Sequence, residues 1–202
     1  MSEDGPNPSR GQALIAMAMV LDVEVVRHGN RWAESSINDA MVELAAQAAF
    51  TAAPPKTPAL YETTIVLTDD AEMRELNRTW RNKDQPTNVL SFPASSAPGE
   101  SAAVGGNTAL GECAHLGDVV IAFETTCAEA AEKSLSLSDH VSHLVVHGVL
   151  HLLGFDHHED NEAEQMERLE RMALASLGIA DPYGIEDGPE IDGKADFAEM
   201  EQ

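Results

Sequence analysis

Cysteine is nearly absent from this 202-residue chain, which holds only Cys113 and Cys127. Two thiols cannot build a disulfide framework, and their scarcity points to a reduced compartment. Long apolar runs are missing too. The longest near the N-terminus, residues 13–21, falls well short of the roughly 20 residues that a membrane span needs. It also lacks the basic start and small-residue cleavage pattern of a secretory signal. The expectation is a soluble, cytoplasmic protein with no membrane partner. Positive charge is the third shortage: 12 Lys and Arg against 35 Asp and Glu give a formal net charge of −23. Nucleic acids and anionic membranes are polyanions, so this balance argues against broad electrostatic adhesion to either. It leaves room for a local basic site. What the chain does have is material for a core. Its 43% apolar content excludes a disordered or fibrous polymer, and its length fits one domain on the usual roughly 100–200 residues each.

The charge is unevenly spread. Residues 159–202 hold 14 acids and 3 bases, so they carry −11, nearly half the total. Residues 74–83 hold Arg74, Arg78, Arg81 and Lys83 against the single acid Glu75. A third of all bases therefore fall in a twentieth of the chain. Such a run is often only a solvated helix face with ordinary charge pairs.

Residues 1–18 open on a Ser-, Pro-, Asn- and Gly-rich stretch and read as a loose leader. The Val-rich, partly alternating residues 19–26 predict a strand. A helix is expected over 34–50, with Ser36 and Asp39 as a capping pair and Ile37, Met41, Leu44, Ala45 and Ala48 on its apolar face. Strands follow at 63–68, 88–92 and 119–123. Between the first two of these, Asp69 or Asp70 caps a short helix bearing Met73, Leu76 and Trp80 at helical spacing, and Pro86 ends it. Residues 94–114 form a long aperiodic loop. Helices are predicted at 125–133, 138–153 and 161–177, with Gly154 and Gly178 placed as C-caps of the last two. The acidic residues 181–202 read as a disordered tail. The expected fold class is α/β (α+β): one domain over about 19–180, with about four strands and about five helices.

Six of the eight histidines fall between positions 140 and 158. His147 and His151 are four apart, so a helix sets both rings on one face within reach of a single ion. Gly154 lets the chain turn back, and His157 arrives to supply a third nitrogen. One buried histidine is more often a hydrogen-bonded core residue than a ligand. Three spaced in this way within a Val- and Leu-rich run are hard to explain by packing, since each unpartnered imidazole would cost roughly 1–3 kcal/mol to bury. Three imidazoles and one open position make a catalytic rather than a closed structural zinc site. His158 competes with His157 as third ligand. His143 is open to three roles: support of a ligand, an RNA contact or a helix-lining residue. Asp156 either orients a ligand or shapes the turn, and His28, His115 and His140 are expected at the surface.

Zinc lowers the pKa of a bound water to about 7 and polarises a substrate oxygen, which serves hydrolysis of either a peptide or a phosphodiester. Metalloproteases with the His-Glu-x-x-His motif place their general base directly after the first histidine. Here that residue is Gly148, which cannot take a proton. Phosphodiester cleavage instead builds negative charge on non-bridging oxygens, where a guanidinium is valuable. Arg81 stands at the end of the basic helix and just before the third strand, a position from which it can face the site.

Four separated motifs carry a family resemblance. They are His147-Gly-Val-Leu-His-Leu-Leu-Gly-Phe-Asp-His157, Asn77-Arg-Thr-Trp-Arg-Asn-Lys-Asp-Gln-Pro-Thr-Asn-Val-Leu-Ser-Phe-Pro93, Leu116-Gly-Asp-Val-Val-Ile121 and the run Glu162-Ala-Glu-Gln-Met-Glu167. In this order they resemble the YbeY family of bacterial endoribonucleases, over about residues 21–183. The resemblance implies an α/β sandwich with a mixed, mainly four-stranded sheet. It implies a single-strand-specific, zinc-dependent endoribonuclease of 16S rRNA 3′-end maturation and ribosome quality control. His147, His151 and His157 carry over as ligands of one Zn2+ and Arg81 as the catalytic arginine. The implied partners are single-stranded RNA, rRNA and the ribosome or its proteins, with no DNA. Two alternatives stand beside it: a zinc metalloprotease, since the histidine spacing is also that of the metzincins, and a non-catalytic zinc-binding ribosome assembly factor. With so much of the acid beyond the histidines, binding of free RNA is expected to be weak and salt-sensitive.

Overall fold

A computed structural model describes residues 20–56, 60–94, 113–157 and 159–184. The expected leader, nearly all of the 94–114 loop and the tail from residue 185 onward lie outside the described residues, as does His158. Nine elements follow in the order β1 (Val20–Arg27), α1 (Asp39–Ala52), β2 (Leu60–Thr68), α2 (Asp70–Arg81), β3 (Val89–Pro93), β4 (Cys113–Ala122), α3 (Phe123–Glu132), α4 (Leu137–Leu152) and α5 (Asp160–Ser176). The four strands make one sheet, ordered β1-β2-β4-β3. Strands β1, β2 and β4 run parallel, and β3 pairs antiparallel with β4 at the sheet edge. The predicted mixed four-stranded sheet with five helices is what forms.

Burial explains which strands were legible. The continuous apolar stretch that ends β4 is buried on both faces, as expected of an inner strand of a mainly parallel sheet. Its first residues, Cys113, Ala114 and His115, are exposed or only partly buried and show no apolar run, yet the strand begins with them, six residues before the predicted 119. It reaches back because Cys113, Ala114 and His115 pair with Leu60, Tyr61 and Glu62 of β2. That pairing also starts β2 earlier than the predicted 63.

One face of the sheet packs Ile65, Leu67, Val119 and Ile121 against α1, α4 and α5. The other face packs Val66, Leu90, Val120 and Ala122 against Met73 and Leu76 of α2. Helix α1 starts later than predicted: Asn38, not Ser36, caps it by accepting a hydrogen bond from the Met41 amide. The buried face also rotates. Val42, Ala45, Ala46, Ala49 and Phe50 are buried, whereas Leu44 is 57% exposed. Small alanines let α1 lie close against α4, and that non-local fit outweighed the leucine. On α2, Asp69 is the N-cap and Met73 is buried, but Trp80 stands 67% exposed.

The predicted C-cap at Gly154 is a Schellman motif. The residue has φ +90°, the Gly154 amide donates to the His151 carbonyl, and the Phe155 amide donates to the Leu150 carbonyl. A side chain at that φ would be strained, so glycine is what allows α4 to stop within three residues of His151. No helix among the described residues is long and apolar enough to cross a membrane.

Candidate metal centre

Helix α4 is capped at Ser136, whose hydroxyl accepts from the Asp139 amide. From there it lies along β3, where the Ser91 hydroxyl donates to the Gly148 carbonyl at 3.1 Å. At Gly148 the helix lies close against the sheet. A Cβ on it would fall 2.5 Å from one Val119 methyl and 3.2 Å from the Ser91 hydroxyl. A glutamate does not fit there without separating the layers, so the base position of the His-Glu-x-x-His proteases is closed by packing as well as by sequence.

Around this contact α4 presents His147, directly before Gly148, and His151, one turn beyond His147, and the Schellman turn returns His157 to them. The three side chains each offer a ligand nitrogen, and these nitrogens lie within 4.8 Å of one another. Ring centroids are separated by 4.6, 5.6 and 5.1 Å. His147 and His151 are half-buried and His157 is exposed, so the cluster opens to solvent on one side.

The outer nitrogens of the helical pair are held by acceptors. His147 Nδ1 lies 2.7 Å from Glu170 Oε1, and His151 Nδ1 lies 3.0 Å from the Phe155 carbonyl oxygen. A carboxylate and a carbonyl can only accept, so both rings carry their proton on Nδ1 and turn the Nε2 lone pair inward. The two Nε2 atoms face each other at 3.1 Å. Burial, reinforced by His147 and His157, pushes the His151 imidazole down to about 4. It does not bridge the gap by taking a proton at neutral pH. Facing lone pairs are what a cation resolves, and this donor set fits a zinc ion with one side left open.

Glu170 was not anticipated from the sequence. It sits on α5 among Met166, Ala173 and Leu174, and is 1% exposed. Its Oε1 accepts from His147, and its Oε2 accepts from His143 Nε2 at 3.1 Å and from the Tyr183 hydroxyl. Burial alone would raise this carboxyl. The hydrogen bonds from His143, His147 and Tyr183 outweigh it and hold the group down at about 2. A signal was present, since Glu170 falls on the apolar stripe of α5, but it was lost among the 14 acids of that stretch. His143 thus supports the Glu170 carboxylate. Tyr183, placed in the predicted tail, closes over the same group and walls a cavity of about 230 Å³ with Met166, Glu167 and Glu170, beside His147 and His157.

The remaining histidines and Asp156 divide. Asp156 shapes the turn, its carboxylate accepting from the His157 amide at 2.8 Å. His28 and His115 are exposed as expected. His140 is not: it is 1% exposed and bonds Glu129 through Nε2 at 2.9 Å. It faces inward because the first turn of α4 packs on α3, a contact that helical periodicity cannot reveal.

Arg81 is the last residue of α2. Its neighbours on that helix are neutralised, Arg74 by Asp84 at 2.7 Å and Arg78 by Glu75 at 2.5 Å. Among the described residues no ion pair involves Arg81. The Trp80 ring meets Phe92 near the end of β3, and the preceding Ser91 bonds α4 beside His147. The end of α2 and the histidines therefore flank the same end of the edge strand, one on each face.

The buried imidazoles give the protein an acid-side weakness. His151 and His140 are both lowered from 6.5, chiefly by burial, so the unfolded chain binds their protons first as pH falls. Glu170, at about 2 against an ordinary 4.5, acts in the same direction at lower pH. The stability of metal-free protein is therefore expected to decline from about pH 6.5 towards 4, and again between about 4.5 and 2. Thermal melts followed by circular dichroism check this, and a flat Tm from neutral to pH 4.5 contradicts it.

Fold and cluster together define a mixed-sheet α/β protein with three converging imidazoles fit for a cation. Comparison with known proteins gives the family. The chain matches the profile described as Endoribonuclease YbeY over residues 28–178. It is 46% identical to the Endoribonuclease YbeY of Parvibaculum lavamentivorans over 92% of this chain and 98% of that one. It is 58% identical to that of Paramagnetospirillum magneticum over 61% and 71%, and 44% identical to that of Azorhizobium caulinodans over 82% and 98%. The chain belongs to the YbeY endoribonuclease family.

Proposed function

We propose that this chain is a zinc-dependent endoribonuclease specific for single-stranded RNA. Its place is in 16S rRNA 3′-end maturation and ribosome quality control in the cytoplasm, in contact with the ribosome or its proteins. Family membership makes it an RNA-hydrolysing enzyme. The observation that carries the metal is the pair of Nε2 atoms turned on each other by Glu170 and Phe155. His147, His151 and His157 hold one Zn2+, which supplies Lewis acidity towards water and a phosphate oxygen. Arg81 binds the phosphate through its planar fork and offsets charge on the non-bridging oxygens. Glu170 fixes the proton of His147 on Nδ1 and keeps Nε2 free as a ligand. We further propose that residues 19–180 form the enzyme domain, with 1–18 and 181–202 as appendages. In support of a second appendage that starts beside the site, the Tyr183 hydroxyl donates to Glu170.

The purified protein is expected to cut single-stranded but not duplex RNA, to stop on chelation and to recover with zinc. His147→Ala, if folded, is expected to lose both metal and cleavage. Cleavage that survives chelation sinks the zinc role. A His147→Ala strain with normal rRNA ends instead supports the non-catalytic assembly factor.

A further inference from the structure

The sheet face turned away from the histidines carries an apolar groove of about 560 Å³. Leu76 and Trp80 wall it on one side, Phe92 and Pro93 on the other, above Val66 and Val120. Its size lies within the roughly 300–1,000 Å³ of small-ligand clefts. Trp80 meets the Phe92 ring at 5.9 Å and 67°, so its indole is held in place although 67% of the residue is exposed. An indole left in water forfeits a large hydrophobic gain, and the fold does not need it there, since Met73 and Leu76 already bury the α2 stripe.

The charges around the groove are sorted. Two acids line it, and both are engaged: Glu72 pairs with His28 at 2.8 Å and accepts from the Thr68 hydroxyl, and Asp118 pairs with His115 at 3.4 Å. Arg81 and Lys83 follow Trp80 directly, on either side of Asn82, which takes a left-handed φ of 55°. Among the described residues neither cation has an ion pair. In a chain of net charge −23, two unmatched bases beside an exposed indole form a local site for an anion bearing a flat ring. The groove and the metal centre lie on opposite faces of the same edge strand, β3. Phe92 faces the groove, and the preceding Ser91 bonds α4 beside His147.

We propose that the Trp80–Phe92 groove binds one unstacked base of single-stranded RNA on the indole. Lys83 meets an adjoining phosphate, and the RNA crosses the edge strand β3, past Arg81, to the three histidines. The proposal rests on the endoribonuclease reading and adds a substrate subsite to it. Every base has a π face, so such a platform takes any sequence, and a base stacked within a duplex is not available to it. The same contact that holds single strands therefore discriminates against double strands.

The test uses the full chain and a fluorescein-labelled, 2′-O-methylated single-stranded oligoribonucleotide, which resists cleavage. Trp80→Ala is expected to raise Kd by on the order of tenfold, the effect of losing one stacked base. Trp80→Phe restores most of the affinity. Leu44→Ala, at a comparably exposed apolar residue of α1, leaves Kd unchanged. Scanning the oligonucleotide with single abasic sites is expected to find one position that weakens the wild type and not Trp80→Ala. Equal Kd for wild type and Trp80→Ala, with RNA cleavage by wild type intact, overturns the subsite alone. Absence of both binding and cleavage in the wild type overturns the enzyme reading with it. Loss of ribosome co-sedimentation in Trp80→Ala at unchanged RNA affinity assigns the groove to a protein partner and likewise overturns the proposal.

Discussion

Arg81→Glu is expected to slow cleavage of single-stranded RNA by about 10²–10³-fold, the usual loss when one preorganised donor is removed from a developing oxyanion. Zinc content is expected to stay the same. The substitution lies at the exposed end of α2, across β3 from the histidines, so neither the ligands nor their hydrogen-bond partners are disturbed. Arg81→Lys is expected to recover only part of the rate, because an ammonium cannot reproduce the two parallel donors of a guanidinium. Single-turnover cleavage together with metal analysis on the same preparations decides the matter. A rate equal to wild type removes Arg81 from the reaction. Lost cleavage accompanied by lost zinc makes its role structural instead.

Glu170→Gln is expected to weaken zinc binding by about 10–100-fold, the range found when a partner behind a metal-binding histidine is lost. The isosteric amide keeps the shape but brings one NH2 group towards donors. His143 Nε2, His147 Nδ1 and the Tyr183 hydroxyl all converge on this carboxylate, and an amide oxygen cannot serve them all. One buried donor is left unmatched, costing roughly 1–3 kcal/mol of stability, and His147 loses the acceptor that fixes its tautomer. Competition against a chromophoric chelator reads the affinity without reference to activity, and the visible spectrum of the cobalt-substituted protein reports the ligand geometry. Wild-type zinc affinity in a destabilised Glu170→Gln protein confines the residue to packing.

The two substitutions separate what the sequence made visible from what it hid. Arg81 and the histidines lie in contiguous motifs, where local geometry is nearly fixed by local sequence. Four residues make one helical turn, so His147 and His151 share a face whatever surrounds them. Gly154 stops the helix through its own φ, and His157 follows because the stop is close. The strands were legible where they are buried on both faces, as in the second half of β4, and illegible where a partly exposed stretch extends the pairing, as at Cys113–His115. Periodicity locates helix α1 but not its buried side, since the choice between Leu44 and the alanine face depends on how closely α4 approaches.

By itself, then, the sequence determined that three imidazoles gather at one end of a helix, that a basic helix end precedes the third strand, and that about four strands share one α/β domain. Only the tertiary structure decided what orients those imidazoles and what surrounds them. Glu170 is 23 residues from His147, and Tyr183 a further 13 beyond Glu170. Such contacts are fixed by how α4 and α5 pack, not by any periodicity along the chain. The same holds for the inward turn of His140 onto Glu129 and for the sorting of the basic cluster, where Asp84 and Glu75 neutralise two arginines and leave Arg81 and Lys83 without ion pairs among the described residues. Net charge is a sum over the chain, whereas the field at a site depends on which charges are already matched. The shortage of bases limits how tightly this protein holds RNA, and the fold decides where the few unmatched ones stand.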